Sequence, residues 1–490
     1  ADTVVVYAGT YQENVNFGGK NLVVRSNTGA ENTIIIPSNN GLAVVWFYSG
    51  EPSTAKLVGF TLKDGGALQG SALNIETNSS PTIEDCIITN SKGYPVRFYN
   101  SASAIKNTLI YSNVGDGVFY FDNYTTTTYP EIINCTVANN SGYGIQNAKS
   151  YKPIIKNSIF YGNSSGGAFG NLDITYSIVE GTYTGTGNKS SDPIFVSSTN
   201  FNITDYSPAI GSGSSTDAPT SDLAGSRRGA PPDMGAYENS LSTPLSDTDI
   251  PMVSYVREGL TDDVAYVGSD TKIPAHWKGS DAASGIKKYE LAVDTSATTI
   301  AGSIKGWTSV GTDTSTTIEG LSLVEGKTYY VSVRATDNLN NVSAIVTSNG
   351  VKLDKVKPTV GSVVHGTDHH LHWLSDSSTA QVTWSGFSDG ASGIKEYEVL
   401  LRDTLKNKNI VDWTNVALEL TYSFTGLTLV NNGQYYLKVR ASDKVGNLSQ
   451  AAESSVFQVD NEKPMVTSLI EGLAGHEKDL DWFSPDAEIV

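Results

Sequence analysis

Cysteine is nearly absent from this chain. Two residues in 490 cannot build a disulfide framework, so packing and hydrogen bonding must hold the fold. Long apolar runs are missing as well: GLAVVWFY, Gly41–Tyr48, is typical of the longest and falls far short of the roughly 20 residues of a membrane span. No secretory leader is visible. The chain opens with ADTVVVYAGTY, already a strand pattern, which points to a leader removed or lying upstream. Charge is scarce at 17%, against about a quarter in ordinary globular chains. The 33 Lys and Arg face 51 Asp and Glu, a net charge of −18. Such a surface repels polyphosphates, which argues against nucleic-acid binding, and keeps a large protein soluble.

Ser, Thr and Asn fill the gap, beside 47 Gly and 25 Tyr. That vocabulary belongs to strands and turns rather than helices. Apolar residues at 39%, with the glycines added, reach the globular share and exclude general disorder. A chain of this length exceeds one hydrophobic core and predicts about three units.

One phrase recurs: PTIEDCIITNS from Pro81, SAIKNTLIYSN from Ser103, PEIINCTVANN from Pro130 and KPIIKNSIFYGN from Lys152. Aligned on Asp85, Asn107, Asn134 and Asn157, the intervals are 22, 27 and 23 residues; Gly59 and Tyr176 extend the column. Self-similarity at this period with strand-like alternation predicts a parallel β-helix, each phrase being strand, bend, strand. Phe60, Cys86, Thr108, Cys135 and Ser158 should then point inward, followed two places on by Ile88, Ile110, Val137 and Phe160. Asp85, Asn107, Asn134 and Asn157 belong at the bend, where their side chains bond from coil to coil and tolerate irregular backbone angles. Ser91, Asn113, Asn140 and Asn163 form a second corner column. Cys86 and Cys135 fall two coils apart, roughly 9–10 Å at the ~4.8 Å strand spacing, beyond disulfide reach. They should be free, buried thiols.

DPIF (Asp192–Phe195), SPAIGSG (Ser207–Gly213), DLAGSRR (Asp222–Arg228) and DMGAYE (Asp233–Glu238) then occur in order. Together with DTVVVYAGTYQENVNFGGKNLVVRS (Asp2–Ser26), they resemble bacterial secreted right-handed β-helix proteins of the choice-of-anchor Q type. The resemblance covers about residues 1–240 and implies a right-handed solenoid with a C-terminal cap. An open solenoid end needs a cover, and Asp222, Arg227, Asp233 and Glu238 are expected to form ion pairs that fasten it.

After residue 240 the vocabulary changes. DTDIPMV, DKVKPTV and DNEKPMV place Pro251, Pro358 and Pro464 at intervals of 107 and 106. Trp277 corresponds to Trp384, Tyr289 to Tyr397, and GLSLVEGKTYYVSVRATDNLNN to GLTLVNNGQYYLKVRASDKVGN. An early Trp, a Tyr on the next strand and a late GxxYYxxVRAxD strand resemble fibronectin type III domains, sandwiches of about 100 residues with short alternating strands. The final DLDWFSPDAEIV matches HLHWLSDSSTAQV and reads as the beginning of a third repeat. The predicted fold is all-β: a β-helix with its cap segment (1–240), a linker (241–250), two fibronectin- or Ig-like sandwiches (251–356 and 357–462) and the start of a third (463–490).

Taking Leu73, Val96 and Val118 as inward puts Asn74, Arg97 and Phe119 outward, then Glu76, Tyr99 and Phe121. Glycoside chemistry needs two carboxylates at a fixed gap, and none emerge on one face, so a polysaccharide lyase or hydrolase is the alternative rather than the main reading. Tyr99, Phe119 and Phe121, joined by Trp46 or Phe47 and flanked by Arg97 and Glu76, instead form an aromatic stripe suited to sugar rings. In the sandwiches, Asp281, Asp337, Asp389 and Asp443 cluster loop oxygens of the kind calcium favours; turn formation explains the same residues without metal. No other cofactor is indicated. Adjacent histidines at Asp368–His370 and His370–His372 lack the Cys or carboxylate partners of a zinc site. The sequence therefore predicts a non-catalytic, extracellular or cell-surface bacterial protein whose solenoid displays a face to glycans or to other copies of itself, with the sandwiches as spacers.

Overall fold

The structure, a computed structural model, describes residues 1–66, 71–122, 129–147, 149, 151–298, 302–366 and 372–467. The segment 368–370 and the stretch 479–490 lie outside the described residues. Among the described residues the regular elements are all strands apart from one short 3-10 turn at Ala30–Asn32, and no helix among them is long and apolar enough to cross a membrane.

Residues 1–250 belong to one compact unit, together with 281–285 and 337–341. Two eight-stranded parallel sheets run the length of its solenoid, with a third of five strands beside them. Strands of the recurring phrase stack in register, Ile83 on Ile105 and Ile88 on Ile110. Cys86, Thr108, Cys135 and Ser158, with Ile88, Ile110, Val137 and Phe160, are all buried in the interior. Both cysteines are free, and burial in this apolar row pushes each thiol up to about 12.

The bend column is set by backbone conformation. Asp85, Asn107, Asn134 and Asn157 all have left-handed φ between 46° and 53°, a region in which Asn and Asp are the best-tolerated non-glycine residues. Their side chains also form a partial ladder: Asn107 Nδ2 donates to Asp85 Oδ1 at 3.1 Å and Asn157 Nδ2 to Asn134 Oδ1 at 3.1 Å. The second column is a closed ladder. Asn113 Nδ2 donates to Asn140 Oδ1 at 3.0 Å, and Asn140 Nδ2 to Asn163 Oδ1 at 2.9 Å.

The tail lies along the flank of the solenoid. Ile87, Leu109, Ile159 and Ile178 point outward from the second sheet and are covered by Phe201, Ala209, Ile210, Met234 and Tyr237. Ser214, Ser221 and Asp233 offer backbone carbonyls to Asn157, Asn107 and Asn134. Gly235, at φ +97°, passes so near the sheet that an added Cβ would lie 2.7 Å from Ile159 Cδ1; only glycine fits.

This corrects the expected fastening in two respects. Arg227 is exposed, and its neighbour Arg228 is the buried cation. Arg228 Nη1 meets Glu238 Oε2 at 3.0 Å, and its Nη2 donates to Asn107 Oδ1 and to the carbonyls of Gly235 and Ala236. Asp222 and Asp233 act through backbone amides rather than ion pairs: Asp222 accepts from Ser226 and Glu238, Asp233 from Gly211 and Asn239. Burial raises the Asp233 carboxyl to about 6.

The second unit holds the remainder of residues 251–490. It contains two copies of one largely antiparallel arrangement. In the first, Met252–Glu258, Lys272–Ser280 and Ser315–Glu319 form one sheet, and Thr328–Asp337 lies beside Ile286–Asp294 in the other. In the second, Ser362–His365, Ala380–Ser385 and Thr421–Phe424 face a sheet centred on Gln434–Asp443 and Ile394–Asp403. Each copy has its own core. Trp277 is buried edge-on against Tyr289 at 5.9 Å, and Trp384 against Tyr397 at 5.6 Å.

Candidate functional site

The third sheet of the solenoid carries the predicted stripe, but in a different register. Val96 pairs with Phe119 and Phe98 with Phe121, so Phe119 (0% exposed) and Phe121 (4%) belong to the core with Phe98 and Phe47. The expected exposure of Phe119 and Phe121 is therefore wrong by one residue, and a slip of one place in a strand exchanges its two faces. The corner before Phe119 is one residue longer than the corner before Val96, measured from Asn113 and Ser91, which displaces the alignment.

The outward columns are instead Asn16, Trp46, Asn74, Arg97 and Tyr120, paired coil by coil. Beside them Glu76 pairs with Tyr99. Arg97 Nη1 lies 3.3 Å from Glu76 Oε1, and its guanidinium stands 5.8 Å from the Tyr99 ring and 5.6 Å from the Tyr120 ring. Asn74 is buried between Trp46 and Arg97 and donates to Glu76 at 2.9 Å. Trp46 and Tyr48 lie with ring centres 5.0 Å apart, and Asn16 Nδ2 donates to the Tyr48 hydroxyl at 3.1 Å. Arg97, Glu76, Tyr99 and Trp46 thus share this face as expected, Phe47 is buried in the core, and Tyr48 and Tyr120 take the place of the two phenylalanines. Chemically this face offers aromatic rings, an amide and one ion pair. Glu76, the carboxylate in that pair, already faces a cation, an arrangement unlike the paired acids of glycoside hydrolysis.

A second constellation lies in the loops of the sandwich repeats. Asp281 and Asp337 come together with Asp247, and Asp389 and Asp443 with Asp354. Within each group the nearest carboxylate oxygens lie within 4.8 Å of one another. The first group is contained in the unit that holds the solenoid, the second in the other unit. Asp281 Oδ1 accepts the amides of Ala283 and Gly285, and Asp389 Oδ1 those of Ala391 and Gly393. Asp337 Oδ1 and Asp443 Oδ1 each close a loop through two further amides. Ser284 N donates to Asp247 at 3.0 Å and Ser392 N to Asp354 at 3.0 Å. Sequence reasoning found four of the six acids. Asp247 and Asp354 were visible as landmarks of the repeat, recurring at the same period as the other four.

Several known proteins resemble parts of this chain. The family model for the right handed beta helix region matches residues 13–146 and 43–204. Exoglucanase B of Cellulomonas fimi is 27% identical over 220 residues, 44% of this chain; the chain spans only 17% of that relative's length. Among solved structures, the FN1–FN3 domains of chicken CNTN1 match at 18% identity and a TM-score of 0.25, and domains A168–A170 of titin at 17% and 0.28. Each match covers 42% of this chain and 68% of the other. The fold is a parallel β-solenoid, the region the family model matches, followed by β-sandwiches.

Proposed function

We propose that this chain is part of a bacterial extracellular or cell-surface protein with a structural and adhesive role, related to the choice-of-anchor Q type. The solenoid displays a lateral binding face, and the sandwiches serve as spacers. The observation that carries the reading is the outer face of the third sheet, where Trp46, Tyr48, Tyr99 and Tyr120 surround Asn74 and the Arg97–Glu76 pair. Aromatic faces receive the CH faces of sugar rings, and the amide and charged groups take their hydroxyls. Glycans are therefore the preferred partner and a second copy of the chain the next. The net charge of −18 argues against nucleic acid.

The test is retention on a panel of immobilised cell-wall and matrix polysaccharides, with sedimentation and release of reducing ends followed on the same samples. Trp46→Ala with Tyr99→Ala should lower retention at least tenfold and leave the sedimentation coefficient unchanged. Unaltered retention with altered sedimentation would transfer the face to self-assembly. Polysaccharide cleavage abolished by Glu76→Gln would replace the adhesive reading with a catalytic one.

A further inference from the structure

The six aspartates raise a physical problem that turn formation does not solve. Three carboxylates whose oxygens lie within 4.8 Å of one another repel, and a cation between them relieves that repulsion. Asp247, Asp337, Asp354 and Asp443 are buried, which removes the water that would screen them. Among the described residues, none of the six takes part in an ion pair.

Two further groups point to the missing partner. Asp281 Oδ1 and Asp389 Oδ1 serve their loops, but Oδ2 of each is shut off from solvent and has no hydrogen-bond partner. Ser284 and Ser392, only 7% and 6% exposed, are placed alike. The amide of each binds Asp247 or Asp354. Neither serine hydroxyl has a hydrogen-bond partner. Bare carboxylate and hydroxyl oxygens, buried around three acids, are what a hard cation would satisfy. Loop stabilisation alone accounts for Oδ1 and leaves Oδ2 unexplained.

We propose that Asp247, Asp281 and Asp337 form one calcium site and Asp354, Asp389 and Asp443 a second. Oxygen-only donors on irregular loops select calcium over zinc or copper, and such sites accept its six to eight ligands without the strict octahedron that magnesium demands. In the second site the ion joins Asp354, which directly follows the strand Val351–Leu353, to two loops of the next sandwich. Calcium there fixes the start of one repeat to the end of the previous one. Affinities near 10⁻⁴ to 10⁻³ M are typical of extracellular modules.

Asp281→Asn and Asp389→Asn provide the discriminating variants. Asparagine keeps Oδ1 for the loop amides and replaces only the bare oxygen. Chelator-stripped wild-type protein titrated with calcium chloride in a calorimeter should take up two ions with these sites intact, one in either variant and none in the double variant. Its melting temperature should rise by several degrees with calcium, but not in the double variant. In chelator the double variant should melt no lower than wild type, which verifies that it folds. No uptake by wild-type protein at 5 mM calcium, or two ions retained by the double variant, would overturn the assignment.

Discussion

Asn140, buried at a corner of the solenoid, commits both ends of its amide to the coils above and below. Asp281, at a loop of the first sandwich, commits one carboxylate oxygen and leaves the other bare. The difference follows from repeat size. A coil of two dozen residues cannot enclose a core, so each repeat must use its neighbours, and a column of like side chains acquires partners simply by stacking. A sandwich of about 100 residues encloses its own core. Its acidic loops gather where one repeat follows another, and there the recurring residue is an acid that stacking does not satisfy. Neutral amides close on one another; like charges require something from outside.

The greatest loss should come from breaking the closed side of this contrast at its buried ion pair. Arg228 is buried and joins the tail to the bend column through Glu238, Asn107 and the carbonyls of Gly235 and Ala236. Desolvation lowers its pKa, but the Glu238 carboxylate opposes that pull. Removing one member of a buried pair strands the other, at about 3–5 kcal/mol. Arg228→Ala should therefore lower the unfolding free energy of the solenoid, read from a urea titration, by that amount. Arg227→Ala, at an exposed position one residue away, should stay within about 0.5 kcal/mol. Equal effects from the two would mean that the tail is not fastened through the bend column.

A neutral break should cost somewhat less. Asn140→Ala leaves the Ile110 and Ala138 carbonyls and the Asn113 amide groups without their partner. Each buried unsatisfied group costs about 1–3 kcal/mol, partly recovered by relaxation. We expect about 3 kcal/mol in the same urea titration, and faster hydrogen exchange at Asn113 and its neighbours. A loss below about 1 kcal/mol would show the amide ladder to be incidental to the apolar core.

How far the sequence reveals this arrangement depends on whether a position is constrained by its own backbone. Asn107, Asn134 and Asn157 were legible because left-handed angles admit few residue types and the phrase repeats them. The inward row of Cys86, Thr108 and Cys135 followed from the same alignment. The register of the third sheet was not legible. Val118, Phe119, Tyr120 and Phe121 are apolar or aromatic at every place, so alternation cannot identify the inward face, and a corner longer by one residue moved it. The outward Ile87 and Leu109 were hidden for a related reason: both faces of that sheet are buried, one by the core and one by the tail. Adjacent Arg227 and Arg228 cannot be told apart before the chain folds. Asp247 and Asp354 showed the right period, but only three-dimensional proximity turns a recurring landmark into a possible ligand.

Asp85 is where the two regimes meet, a carboxylate placed in the solenoid's asparagine column. It accepts Asn107 Nδ2 at 3.1 Å as its amide counterparts could, but burial raises its pKa from 3.8 to about 6. An acid whose folded pKa lies above its unfolded value binds its proton more tightly when folded, so it destabilises the protein above pH 6 and that cost fades as the pH falls toward 4. Asp85→Asn keeps the acceptor and removes the charge. It should stabilise the solenoid by about 1 kcal/mol at pH 7, after allowing for the solvent that reaches this partly exposed group. Near pH 4, where the wild-type carboxyl is protonated in the folded state, the gain should shrink to nothing. Thermal unfolding of both proteins from pH 4 to pH 8 measures this directly. A variant that is less stable at pH 7 would mean that Asp85 needs its charge, and that the bend column already contains an acid satisfied by its surroundings, as no neutral ladder requires.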